Sequence, residues 1–344
     1  MEKWIRKYLN VQESSSAYVA FDKMEHQCGV TTPGVYRKYN PAIASDWINL
    51  INEMSYIKHY KNSDRVLDIG CGDGYPILSI APYVKSITGI DHSKKRVEVS
   101  RNNALRLGIE NASFSVMNGE ELTFGDNCFD GVVSATAIEQ AANPKKVFKE
   151  VYRVLKPGAV FVSAFQNLHF YLGNKGRNEV CTLEKYKNCY YYLYRIENKN
   201  PCYEKNYHCR LKQNSTVNNI TGLYMKKNAG GDEITLNNSG KDEFGLPFLK
   251  KLKDSIDSCM YYKIQHFTPA TLKDALTNTG FNRIEIEPNK ARILYPVIKS
   301  IEKENLLATL KPYFEKLCRS FSNVKCSTPL SESHIIFVQA RKPY

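Results

Sequence analysis

No run of about 18 apolar residues occurs in this chain, so its sequence offers no helix able to span a bilayer. It opens on Met1-Glu2-Lys3-Trp4 without the apolar stretch of a secretory leader, which makes the cytoplasm the expected compartment. Tryptophan is nearly absent, at 2 residues, whereas tyrosine reaches 23. None of the 10 cysteines forms a C-x-x-C pair, so the common zinc knuckles are excluded. The G-x-G-x-x-G spacing that seats a dinucleotide pyrophosphate on a helix N-terminus is missing as well.

An acidic balance is lacking, and the basic excess lies in the back half. The formal net charge is +13. Residues 166–344 hold 28 Lys+Arg against 17 Asp+Glu, and the first 165 residues hold 20 against 18. Such a balance suits either an anionic acceptor or a solvated lysine surface, and the second is favoured. Nucleic acid is disfavoured as a partner. Residues 134–137 read Ser-Ala-Thr-Ala, and no Asn/Asp-Pro-Pro-Tyr tetrapeptide stands there.

What is present is concentrated at Val66 to Tyr75, V-L-D-I-G-C-G-D-G-Y. Four residues of strand character run into Gly70, Gly72 and Gly74, and a helical pattern opens at Pro76. Glycines at a strand-to-helix turn let backbone approach a nucleotide-like ligand. The third glycine stands one residue too early for a dehydrogenase, with Tyr75 in the place it would need. A second apolar run, Ser86 to Ile90, ends in Asp91, about 20 residues on, where such folds hydrogen-bond a ribose diol. Ser113 to Met117, Phe129 to Ser134 and Ala159 to Ala164 read as three more strands. Lys145 to Leu155 has helical spacing and is stopped by Lys156-Pro157-Gly158. Strands alternating with helices predict a doubly wound parallel sheet.

Taken in order, V-L-D-I-G-C-G-D-G, G-I-D-H-S, N-G-E-E-L-T-F-G-D-N-C-F-D and V-Y-R-V-L-K-P-G resemble the class I S-adenosylmethionine-dependent methyltransferases. The nearest flavour is the ubiquinone- and menaquinone-biosynthesis group of small-molecule enzymes. The resemblance covers Asp64 to Phe165, resumes at His266 to Glu287, and returns at Ser333 to Lys342. It implies a Rossmann-like, seven-stranded, mostly parallel α/β sheet with an N-terminal helical lid and a large insertion after the fifth strand. The implied segments are a lid (1–60), a cofactor-binding core (61–165), an insertion (166–265) and the C-terminal part of the core (266–344).

The implied cofactor is S-adenosylmethionine, and the implied acceptor is a small molecule methylated on O, N or C. By resemblance, Asp68, Gly70, Cys71, Gly72 and Gly74 line the methionyl part. Asp91 takes the ribose hydroxyls, with His92 beside the adenosine. Asn118 stands where an aspartate usually meets the adenine amino group, followed by Gly119 and Glu120. Ser134 and Thr136 present backbone near the methyl group. Many relatives carry Leu-Glu-His after the fourth strand, where this chain has Ile138-Glu139-Gln140. Near the strand ends, His169 and His266 are the candidate bases, each against a plain structural alternative. A macromolecule methyltransferase and a non-catalytic cofactor-binding regulator are the other readings.

The insertion is longer than a plain loop. Its tyrosines suggest a strand at Tyr190 to Ile196, paired with Tyr203 to Leu211, then a turn at Asn228 to Asp232 and a helix from Phe248 to Met260. It reads as a substrate-specificity element, or else as an arm for a homodimer. Cys181, Cys189, Cys202, Cys209 and His208 raise a structural zinc site, but reduced, scattered thiols are the expectation, and no metal is predicted. In the lid, Ala42 to Ile57 is amphipathic, and Tyr36 and Tyr39 are placed to close a pocket. His266-Phe267-Thr268-Pro269 opens a helix to Thr279, Gly280 ends it, and Phe281 to Glu287 makes a sixth strand. A helical stretch from Tyr295 to Phe321 precedes a last strand, Ile335 to Ala340.

Overall fold

The structure, a computed structural model, describes residues 1–28, 39–62, 64–186, 189–227, 233–235, 244–325 and 328–344, with the backbone alone at 169, 186, 225–227 and 233–235. Tyr36 and the Asn228 to Asp232 turn lie outside the described residues. In chain order the strands are β1 (Val11–Glu13), β2 (Arg65–Ile69), β3 (Ser86–Asp91), β4 (Ala112–Val116), β5 (Phe129–Ala135), β6 (Leu155–Gln166) and β7 (Arg177–Tyr186). They continue as β8 (Cys189–Asn198), β9 (Tyr203–Leu211), β10 (Met225–Lys227), β11 (Glu233–Thr235), β12 (Ile256–Gln265), β13 (Asn282–Pro288) and β14 (Ile335–Arg341). Two compact units result. One comprises Met1–Thr32 with Asn174–Gln265, the other Pro33–Gly173 with His266–Tyr344.

The larger unit holds a seven-stranded sheet in the order β13-β14-β6-β5-β2-β3-β4. β4, β3, β2, β5 and β6 are parallel neighbours, and β14 and β13 close the edge antiparallel. Val66, Leu67, Asp68 and Ile69 are all buried, as expected of a central strand covered on both faces. Helix Ala44–Ile57 covers one face together with Lys290–Lys303 and Phe314–Ser322, burying Trp47, Ile51 and Met54 against Val66, Val133 and Val162. Helices Pro144–Val154 and Pro269–Thr279 pack together, where Phe148 meets Phe161, Phe165 and Phe267. The sequence places both helices correctly because both carry local signals. Asn143 caps the first, and Thr268 and Thr271 form a reciprocal capping box on the second, which Gly280 ends at φ 112°.

The smaller unit is a five-stranded sheet, β1-β12-β9-β8-β7. Alternation divides its tyrosines between two faces. Tyr192, Tyr194, Tyr207 and Cys209 pack with Ile5, Val217, Leu249 and Leu252, and Tyr191, Met260, Tyr262 and Ile264 lie under the helix Ala17–Cys28. The expected hairpin is β8 with β9, in the register Tyr190 to Leu211.

Three expectations need correction. The helix read from Phe248 to Met260 stops at Leu252, and Ile256–Gln265 is a strand. Cys259 faces one core while Met260 and Tyr262 face the other, a period of two that the apolar run concealed. The segment 1–60 is not one piece: Val11–Glu13 pairs in parallel with β12, so the first residues belong to the smaller unit, while Ala44–Ile57 packs on the larger sheet. Finally, Cys28 and Cys189 form a disulfide, their Cα atoms 5.6 Å apart, where reduced thiols were expected. A separation of 161 residues hides such a pair from the sequence. Cys209 faces Cys259 instead, so the four insertion cysteines are not gathered, and no metal-holding group of three occurs among the described residues.

Candidate active site at the carboxyl ends of the parallel strands

The glycine turn leaves β2 at its carboxyl end. Gly70, Gly72 and Gly74 have φ of 76°, 53° and 117°, a region that side chains disfavour. At Gly70 there is no room either, because an added Cβ would stand 2.3 Å from the Cβ of Ala137. The N–H groups of Gly70 and Cys71 both donate to the Ile90 carbonyl, at 2.8 and 2.9 Å, which ties the turn to β3. The Gly72 N–H donates to Asp91 Oδ2 at 3.0 Å, and the Ser93 N–H to Asp91 Oδ1 at 2.9 Å. Each carboxylate oxygen can accept twice, so Asp91 keeps acceptor capacity on both. Burial raises its carboxyl above the usual range, while Arg96 and the exposed His92 pull it back down.

Asp68 is wholly buried, and neither oxygen makes a hydrogen bond of ordinary geometry. Burial and the nearby Asp91 push its carboxyl well up, and the nearby Ile77 N–H acts the other way. A buried acid left in this condition is costly unless a ligand supplies the donor or the cation. Gly72 meets nothing within 4 Å on its Cβ side, so the turn is open there. An unsatisfied acid, an open glycine turn and a second acid with spare acceptors fit a ligand carrying an ammonium group and a vicinal diol.

The remaining expected residues divide by what they touch. Asn118 is exposed, and its Oδ1 already accepts the Glu120 N–H at 3.0 Å. Glu120 Oε1 accepts the N–H of Asn143, and Gly119 is packed against Ile69 and Val147. Cys71 is buried, and Ser134 donates to the Ile69 carbonyl at 2.8 Å, so both serve the frame. Thr136 has φ 50°, strained for a β-branched residue, and its carbonyl accepts from Gln140 Nε2 at 2.8 Å. Gln140, standing in place of the expected histidine, thus clamps the strained turn after β5. His169 falls on the short helix Leu168–Leu172, where its side chain is not described. His266 is buried and sits near Glu139, whose Oε1 accepts the Gln166 N–H at 3.2 Å.

The sequence reading missed Glu53. It lies on Ala44–Ile57, only 3% exposed, and accepts a hydrogen bond from Tyr39. The available signal was a carboxylate on the buried face of an amphipathic helix, between Leu50 and Met54. Burial lifts Glu53 to about 7 from an ordinary 4.5, with Tyr39 and Ser79 pulling the other way. Because the folded pKa lies above the unfolded one, its protonated form is favoured, and stability falls as pH rises from about 4.5 through about 7. Glu53→Gln should therefore stabilise the ligand-free protein by about 3 kcal/mol at pH about 8, with no gain below pH about 4.5. Denaturant titrations of both forms at the two pH values check this.

Residues 60–221, just under half the chain, match the family model described as a methyltransferase domain. An uncharacterised methyltransferase of Bacillus subtilis, YcgJ, is 39% identical over 98 residues, 28% of this chain and 39% of that protein. Demethylmenaquinone methyltransferase of Symbiobacterium thermophilum is 33% identical over 124 residues, 35% of this chain and 49% of that one. Both alignments span less than half of the relative's own length. The solved S-adenosylmethionine-dependent methyltransferase of Clostridium acetobutylicum superposes with a TM-score of 0.51 at 13% identity, covering 95% of this chain and 99% of that one, and so shares the fold. Over residues 60–221 the chain is thus similar to the S-adenosylmethionine-dependent methyltransferases, whose class I fold it shares. S-adenosylmethionine is the cofactor of that class.

Proposed function

We propose that this protein transfers the methyl group of S-adenosylmethionine to a nucleophilic atom of a small molecule. The observation that carries the reading is the pair of acids on the glycine turn, Asp68 buried and unsatisfied, and Asp91 anchored by Gly72 and Ser93 with acceptors to spare. The demethylmenaquinone relative, by its name, supports a small-molecule acceptor. When bound, the cofactor supplies an already activated methyl on sulfur.

The chain's own residues have four tasks in this reading. Asp91 orients the adenosine through the ribose hydroxyls, with His92 at its side. Asp68 and the backbone of Gly70, Cys71, Gly72 and Gly74 hold the methionyl end. Asn118, Gly119 and Glu120 line the adenine edge, and Ser134 and Thr136 bound the methyl-transfer space with backbone. Holding the acceptor atom in line with the sulfur–methyl bond then supplies much of the rate. His266 and His169 are the candidates for taking a proton where the acceptor must lose one. The insertion, residues 166–265, is assigned to acceptor choice because it follows the carboxyl end of β6.

Calorimetric titration with S-adenosylmethionine and with S-adenosylhomocysteine tests the reading. Micromolar binding of both is expected. Binding of neither would overturn it.

A further inference from the structure

Glu53 is one of several buried polar groups gathered beside the glycine turn. Its neighbours are Tyr39, which donates to it, Ser79, and Tyr75, the residue directly after Gly74. Tyr83 and Cys318 also lie close enough to feel its charge. Tyr75 lies close enough to two acids, Glu53 and Asp68, to feel the charge of both. Its ring lies 6.3 Å from that of Tyr56 in an edge-to-face arrangement. Tyr56 is fully buried, and its hydroxyl has no hydrogen-bond partner among the described residues although Asp68 and Glu139 are near. Among the described residues, no lysine or arginine is among the groups acting on Glu53, Asp68, Tyr75 or Tyr56.

Buried acids without a cation are costly, and tyrosine faces and hydroxyls favour an ammonium group. An orphaned phenol beside these acids marks a place where a ligand atom completes the set. We propose that Glu53, Tyr39, Tyr56 and Tyr75, with Asp68 adjoining, bind a protonated amine, carried either by the amino-acid end of the cofactor or by the acceptor. The proposal rests on reading the glycine turn as the cofactor site. If the acceptor carries the amine, Glu53 takes one proton from it. The freed nitrogen pair then forms the new C–N bond as the S–CH3 bond breaks, and that bonding pair returns to sulfur.

The test uses the full-length protein, Glu53→Gln and Tyr56→Phe, with four probes read by calorimetry. S-adenosylhomocysteine and methylthioadenosine share the nucleoside and thioether, but only the first has the amino-acid end. Benzylamine and benzyl alcohol, added to protein saturated with S-adenosylhomocysteine, differ chiefly in charge. If the cofactor's ammonium is the ligand, Glu53→Gln weakens S-adenosylhomocysteine at least about tenfold and leaves methylthioadenosine unchanged. If the acceptor's amine is the ligand, the wild type prefers benzylamine by at least about tenfold, and Glu53→Gln removes the preference. Tyr56→Phe reduces the same affinity by a smaller factor.

A measurement on the wild type alone guards against a variant that fails to fold. Glu53 becomes charged above about 7, so the affinity for whichever amine binds should rise as pH passes from about 6 to about 8. Unchanged affinities in both variants, or a flat pH profile, would overturn the amine site while leaving the cofactor reading intact. Failure of the wild type to bind either nucleoside would instead overturn that reading, and the proposal with it.

Discussion

Asp91→Ala lowers the affinity for S-adenosylhomocysteine by at least about 100-fold. On the reading above, this carboxylate accepts two charge-assisted hydrogen bonds from a ribose diol, worth about 1.5–3 kcal/mol each. Their sum, about 3–6 kcal/mol, corresponds to about 100- to 10,000-fold at about 1.4 kcal/mol per decade. The substitution also strips the Gly72 and Ser93 N–H groups of their acceptor, so the glycine turn loses an anchor to β3. Asp91→Asn separates the two effects. Its remaining side-chain oxygen can still accept one of those bonds, so the turn is better kept, while the charge that strengthens the ribose contacts is lost. An intermediate affinity is expected for it by calorimetry. Wild-type affinity in Asp91→Ala, with an unchanged thermal midpoint, would sink the assignment of this residue to the cofactor.

Gly70→Ala destabilises the fold itself by about 4 kcal/mol. Two independent costs meet there. The backbone at φ 76° is unfavourable for an L side chain by about 1–2 kcal/mol. The added methyl would also stand 2.3 Å from the Cβ of Ala137, and relieving an overpacked contact of this kind costs about 1–3 kcal/mol. Ala137 precedes Ile138-Glu139-Gln140 after β5, so relief by backbone movement would displace the loop clamped by Gln140 on the Thr136 carbonyl. A fall in the denaturant midpoint with the slope unchanged is the expected signature. Gly72→Ala is the internal comparison: its φ is also positive, but the methyl meets nothing within 4 Å. It should cost only the backbone term, about 1–2 kcal/mol. Equal losses in the two variants would show that the contact with Ala137 does not matter.

The sequence and the structure agree best where the signal is local. Asn143 and Thr268 announce their helices because a cap uses neighbours three residues on. The parallel strands announce themselves as apolar runs ending at glycine or an acid, as at Val66 to Gly70 and Ser86 to Asp91. Agreement fails where one pattern has two solutions. Phe248 to Met260 is apolar enough for a helix throughout, yet Cys259 and Met260 point to opposite cores, and pairing with β9 and β1 chooses the strand. At the candidate site, Asp68 and Asp91 were legible because both belong to the strand-and-turn motif. Glu53 was not, because its meaning depends on Tyr39, fourteen residues earlier, and on Tyr75 across the glycine turn.

By itself, then, the sequence determined the order of elements in the larger unit, the glycine turn and the two acids on it. These follow from propensity, hydrophobic period and capping within windows of a few residues, which chain connectivity alone supplies. Tertiary structure alone decided that the first residues pair with β12 and that Cys28 meets Cys189. It also left Tyr56 and Glu53 buried near an acid and a tyrosine, with no lysine or arginine acting on them among the described residues. Each of these contacts joins segments far apart in the chain. Its strength comes from burial and from geometry that no local pattern encodes, so it exists only once the sheets have formed.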